Sequence, residues 1–104
     1  MGNEDFAIIK EKTREGLKFI IKGRANTASA EELRHYLEEA LREEQINIVL
    51  NMLKVEYLSS AGIRVILKAY KDAKGAGGKL GIEMPSENVR NVLGMTALDE
   101  MLIH

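Results

Sequence analysis

Two adjacent hydroxyls, Ser59 and Ser60, stand between a run with strand character and a run with helical character, in Val55-Glu56-Tyr57-Leu58-Ser59-Ser60-Ala61-Gly62-Ile63. A helix start leaves backbone N–H groups unpaired and carries partial positive charge. Two chemistries suit a serine there. It can cap the helix, a contribution of about 1 kcal/mol. It can also accept a phosphoryl group, whose charge of about −1.5 to −2 a helix start tolerates but an apolar or acidic interface does not. Local chemistry alone favours the cap.

The other reactive residue types form no constellation. The two histidines, His35 and His104, are far apart, one in a charged helical run and one at position 104, and both read as surface residues. No His and carboxylate set has metal-ligand spacing, so neither a metal nor a cofactor is expected. The glutamates of the first helical run lie on its polar face, where nothing raises a carboxyl pKa for acid catalysis. The run Gly75-Ala76-Gly77-Gly78 follows a helix and precedes a strand. Phosphate-cradling loops have the reverse order, so this run reads as a helix stop. There is no cysteine, which removes disulfides, thiol catalysis and thiolate metal sites. The expectation is a protein that is not an enzyme.

The elements that would position Ser59 and Ser60 follow from hydrophobic periodicity. Phe6–Lys10 and Leu17–Lys22 read as an antiparallel hairpin, with Gly16 supplying a positive φ at the reversal. Ala30, Leu33, Leu37, Ala40 and Leu41 form one stripe of a helix from Ala30 to Glu44, started by a Ser29/Glu32 capping box. Glu31, Arg34, Glu38 and Arg42 lie on its solvated face. Ile46–Met52 reads as a buried central strand. A second helix is predicted over Ala61–Lys74, with Ile63, Ile66, Leu67 and Tyr70 as its apolar stripe. Lys79–Met84 is a further strand. Ser86 caps a short helix Glu87–Leu93 ended by Gly94, Thr96–Glu100 makes one more turn, and Met101–Ile103 a last short strand. Two successive strand–helix–strand units demand parallel pairing through right-handed crossovers. The fold class is therefore α/β, a mixed sheet of four to five strands packed with three to four helices.

Bulk properties narrow the function further. The sequence has 104 residues, a net charge of −1 and only 5% aromatic residues, with no tryptophan. A nucleic-acid-binding domain of this size would carry a basic footprint and stacking aromatics, so no nucleic-acid partner is expected. No stretch approaches the ~20 apolar residues of a membrane span, and the first ten residues lack a signal-peptide pattern. A cytoplasmic location without direct membrane insertion is expected.

The stretch Asn51–Tyr70, NMLKVEYLSSAGIRVILKAY, resembles the signature of the STAS family, in which a strand ends in an apolar–aromatic step, then Asp-Ser-Ser/Ala-Gly, then an apolar helix. Ser60-Ala61-Gly62 matches the last three positions of that core, and the Val65-Ile66-Leu67 run follows. Ile21–Asn26 with Ser29-Ala30-Glu31 and Leu33 is similar to the family's second block. The Gly75–Gly78 turn and the Val89-Val92-Leu93 helix running into Gly94-Met95-Thr96-Ala97-Leu98 also match, so the resemblance spans nearly the whole chain, read as one STAS domain over residues 1–104. Within the family, the resemblance is to the bacterial anti-sigma factor antagonists.

The resemblance implies a phosphorylation-controlled antagonist in a partner-switching pathway that regulates transcription. Its partner would be an anti-sigma factor that is also a serine kinase, with a phosphatase resetting the switch, and the chain itself a monomer or weak homodimer. Ser60 matches the phospho-acceptor, with Ser59 the less favoured alternative. Asn26, Ser59, Ser60, Gly62, Arg64 and Lys68 match the partner-binding face. Two family aspartates are replaced, by Ser59 before the acceptor and by Asn26 in the upstream block, which removes local negative charge. That change favours the other role open to such domains, a constitutive interaction module in a stress-signalling scaffold or a cytoplasmic subunit of a lipid-transport ABC complex.

Overall fold

The computed structural model describes residues 5–43, 47–96 and 98–103. The order of elements is β1 (Phe6–Lys12), β2 (Leu17–Ala25), α1 (Thr27–Arg42), β3 (Asn47–Leu58), α2 (Ser60–Gly75), β4 (Lys79–Glu83), α3 (Glu87–Met95) and a 3-10 turn, Asp99–Met101. The four strands form one sheet in the order β1-β2-β3-β4. β1 and β2 are antiparallel; β2, β3 and β4 run parallel. This is the mixed α/β sheet that the periodicity predicts.

Alternation along the strands decides where the core sits. Leu17, Phe19 and Ile21 of β2, Ile48, Leu50 and Met52 of β3, and Leu80 and Ile82 of β4 are all buried. Their neighbours Lys18, Ile20, Val49, Asn51 and Glu83 are half-buried on the other face. Both parallel crossovers are right-handed by rule, so α1 and α2 lie side by side on the first face. There α1 buries the predicted residues Ala30, Leu33, Leu37 and Ala40. A fully buried leucine contributes about 1.5–3 kcal/mol.

The stripe of α2 differs from the one predicted. Gly62, Ile66, Ala69 and Ala73 are buried, while Ile63, Leu67 and Tyr70 are only half-buried. At about 100° per residue Ile63, Leu67 and Tyr70 fall together on one flank of the buried line, so the face that α2 turns to the sheet and α1 is rotated from the one predicted.

Several boundaries move as well. β2 runs three residues beyond Lys22. β3 begins at Asn47 among the described residues and runs on to Leu58 rather than ending at Met52; Ile46 lies outside the described residues. Past Met52 the burial no longer alternates, because Leu53 and Lys54 are both exposed. The ladder with β2 shifts register between Ile20 and Lys22 and again between Gly23 and Arg24. The strand survives through backbone pairing, which side-chain periodicity does not report. Gly94 does not end α3: the helix continues to Met95, and the Thr96 hydroxyl donates to the Val92 carbonyl at 2.8 Å. The predicted last strand is a single parallel bridge, Leu102 to Ile82, preceded by the 3-10 turn.

The hairpin turn shows how a glycine can be required for a different reason than expected. Gly16 has no positive φ; the described positive-φ glycines are Gly23 (94°) and Gly77 (89°). What Gly16 supplies is close approach, since a Cβ there would strike the Asn47 carbonyl oxygen.

On the half-open face of the sheet the Lys18 ammonium reaches Glu83 at 2.9 Å, and the Asn51 amide donates to the same carboxylate at 3.0 Å. The Lys18 hydrogen bond holds the Glu83 carboxyl below its ordinary 4.5, with partial burial opposing and Asn51 assisting. A depressed folded pKa means that the contribution is present above the unfolded value and is lost as pH falls through the folded one. Glu83→Gln is therefore expected to lower stability at neutral pH, and the gap to the parent chain closes as the solution is acidified below about pH 4.5. Urea unfolding of both proteins from pH 3 to 7 checks this; a gap that does not depend on pH contradicts it.

Candidate functional site

The site forms where the two central parallel strands end together. Ala25, the last residue of β2, pairs with Leu58, the last of β3, and the Ser59 N–H donates to the Ala25 carbonyl at 2.9 Å. Each strand is followed directly by a helix. Asn26 caps α1 and Ser59 caps α2, so two helix starts lie side by side at one end of the sheet.

The cap of α1 corrects the sequence reading. The helix begins at Thr27, and the capping box joins Asn26 to Ser29 instead of Ser29 to Glu32. The Ser29 N–H donates to Asn26 Oδ1 at 3.0 Å, and the Asn26 N–H donates to Ser29 Oγ at 2.9 Å. The Ser29 hydroxyl in turn donates to the Arg24 carbonyl at 2.7 Å. Ser29 is fully buried, and this closed set fixes the turn from β2 into α1. An asparagine oxygen caps as well as an aspartate does, so Asn26 keeps the turn without the charge. Position 44, the predicted end of this helix, lies outside the described residues.

The two serines have different fates. Ser59 is 8% exposed, and its hydroxyl accepts from the Gly62 N–H at 3.1 Å. Ser60 is the first residue of α2 and is exposed. The cap and the free hydroxyl are thus separate residues: Ser59 serves the helix, and Ser60 is presented to solvent. Gly62 lies beneath them. A Cβ there would come within 2.8 Å of Leu58 Cδ1 and 3.4 Å of the Ala25 carbonyl oxygen, so the glycine permits α2 to start this close to the strand ends.

The remaining predicted residues lie further along. Arg64 is exposed one turn below Ser60, and lines the end of a groove between α1 and α2 with Thr27, Ala30 and Ala61. Lys68 lies a further turn away and pairs with Asp72 at 2.8 Å. Across the groove Arg34 bridges Glu31 and Glu38, at 2.8 and 2.9 Å. The guanidinium of Arg34 is held even more firmly protonated by these two carboxylates. His35 is exposed and takes no part, and His104 lies outside the described residues.

Sequence reasoning missed a pair at the rim. The Arg24 guanidinium lies 4.8 Å from the centre of the Tyr57 ring, and both residues are exposed. They are register partners one rung before Ala25 and Leu58. The signal that could have found them was Tyr57 itself, an exposed aromatic in the aromatic step before the serines. The first turns of α1 and α2 contain no acidic residue. Among the described residues no group of three metal-ligating side chains occurs. What the arrangement offers chemically is an accessible Ser60 hydroxyl at the start of one helix, with Thr27 exposed at the start of the other, set among cations and a shallow apolar groove.

The model of the STAS domain family matches residues 7–104. The chain belongs to the STAS domain family. One relative is a candidate anti-sigma factor antagonist, BtrV of Bordetella bronchiseptica, 32% identical over 72 residues, which are 69% of this chain and 62% of BtrV. This STAS chain thus matches less than two thirds of that relative's length. Among solved structures it is similar to the anti-sigma factor antagonist SpoIIAA in its unphosphorylated form, with a TM-score of 0.83 and 21% identity over 93% of this chain and 86% of that one. The phosphorylated form of the Bacillus cell fate determinant SpoIIAA gives a TM-score of 0.77 and 20% identity, over 93% and 89% of the two chains. These structures share the STAS fold. Among the described residues of this STAS domain no helix is long and apolar enough to cross a membrane.

Proposed function

We propose that this STAS domain is an anti-sigma factor antagonist controlled by phosphorylation of Ser60, acting by binding an anti-sigma factor that is also a serine kinase. The observation that carries the reading is the division of labour between the two serines. Ser59 is buried and engaged with the Gly62 N–H, whereas Ser60 is exposed at the first position of α2. A kinase needs an accessible hydroxyl, and Ser60 can be modified without dismantling the cap. Transfer of the terminal phosphoryl group of ATP forms a bond from phosphorus to Ser60 Oγ, breaks the bond to ADP, and releases the hydroxyl proton. The docking face around it comprises Asn26, Ser60, Arg64 and Lys68, while the buried Ser59 and Gly62, also expected on that face, shape it from beneath. Family membership and the likeness to antagonists support the same role, in a cytoplasmic setting.

Asn26 and Ser59, which stand where the resemblance expects aspartates, both act as helix caps, so the loss of charge there leaves the turns that present Ser60 intact. The test is incubation with the cognate kinase and ATP, followed by peptide mass spectrometry. A phosphate on Ser60, absent from Ser60→Ala, is expected. Stable complex formation with no phosphate on either serine would replace this function with that of a constitutive interaction module.

A further inference from the structure

We infer that Arg64 is the residue that holds the phosphate once Ser60 is phosphorylated, so that the modification withdraws a cation from the docking face as it adds negative charge. The inference rests on Ser60 being the acceptor.

Ser60 and Arg64 are four residues apart in α2, which places them on one face with Cβ atoms about 5–6 Å apart. Helical side chains lean toward the N-terminus, so Arg64 extends toward the turn that carries Ser60. Arg64 lines the end of the groove with Thr27, Ala30 and Ala61 in the first turns of both helices, and also its continuation toward Lys68 and Asp72. A guanidinium binds phosphate through two parallel N–H···O bonds, which gives direction as well as charge.

The surrounding charges leave Arg64 available for this. Glu31 is the one carboxylate lining that end of the groove, and Arg34 takes both of its oxygens, at 2.8 and 3.1 Å. Arg34 is further occupied by Glu38, Lys68 by Asp72, and Arg24 lies over Tyr57. Among the described residues Arg64 has no ion pair. The charged groups that share the groove with Arg64 are Lys68 and Asp72 from α2 and Glu31, Arg34 and Glu38 from α1.

The test uses the full chain with phosphoserine genetically encoded at position 60, and needs neither kinase nor partner. Phosphorus NMR titration is expected to place the second phosphate ionisation below about 6, and R64Q to raise it by about half a unit, a threefold change in proton affinity. K68Q is expected to leave it within about 0.1 unit, since Lys68 lies two turns away. The Arg64 Nε–H resonance moves downfield on phosphorylation. An ionisation unchanged by R64Q, or moved equally by K68Q, overturns the assignment. Such a result would leave the proposed function standing, because the phosphate is installed independently; absence of kinase action on Ser60 would remove that function and leave the titration result intact.

Discussion

Ser60→Asp is expected to abolish association with the anti-sigma factor kinase while leaving the domain folded. Aspartate at the first position of a helix is favourable, because the helix start carries partial positive charge. Ser60 makes no hydrogen bond that the substitution would break among those of the described residues, and its side chain is exposed. Thermal unfolding should therefore stay within about 3 °C of the parent chain, as for other exposed substitutions. Binding is another matter. Desolvating an added charge at an interface costs several kcal/mol, so affinity should fall by at least about 100-fold, or about 2.7 kcal/mol. Ser60→Ala should keep the parent affinity. Calorimetry on the three proteins decides: equal affinities for parent and Ser60→Asp would mean that charge at this corner does not govern docking.

Gly23→Ala is expected to be the most damaging small substitution in the fold. Gly23 has a φ of 94°, a region that side-chain-bearing residues occupy at a cost of about 1–2 kcal/mol. A Cβ there would also collide with the carbonyl oxygen of Asp5, a backbone atom that cannot rotate aside. That carbonyl accepts from the Arg24 N–H at 2.8 Å, so the collision pushes apart the pairing of β1 with β2. The consequence reaches the site, because Arg24 carries both the Tyr57 contact and the carbonyl bound by Ser29. The expected loss is about 3 kcal/mol, which shifts the melting temperature by about 12–20 °C. Gly94→Ala is the contrast. Its position in α3 has open space around it, and removing a helical glycine should stabilise by about 0.5–1 kcal/mol. Urea unfolding of the two variants should move in opposite directions; a Gly23→Ala variant as stable as the parent would show that the β1–β2 junction relaxes freely.

The two substitutions separate the jobs of the site. Gly23, Ser29 and Gly62 hold two strand ends and two helix starts in register, and changing them alters the corner itself. Ser60 and Arg64 stand on the finished corner, and changing them alters only what it presents.

Periodicity and helix-stop chemistry made the architecture legible from the residues alone. Alternating Leu17, Phe19 and Ile21, the stripe Ala30–Leu33–Leu37–Ala40, and glycines after the second helix specify strands, a helix and a turn by local rules. Two strand–helix–strand units then leave essentially one handedness of connection. The place of Ser60 at a helix start was also local information. What the sequence did not disclose is which serine is spoken for. Ser59 and Ser60 are chemically alike, and only packing of α2 against the end of β3 buries one hydroxyl on the Gly62 N–H and turns the other outward. The second half of β3 was hidden for a related reason: its pairing with β2 is made by backbone groups, identical in every residue but proline. The Asn26–Ser29 box, the Arg24–Tyr57 contact and the occupation of Glu31 by Arg34 rather than Arg64 are likewise choices among several partners of equal chemistry. Local rules determine what each residue can do; the tertiary arrangement decides which neighbour it does it with, because distance selects among chemically equivalent partners.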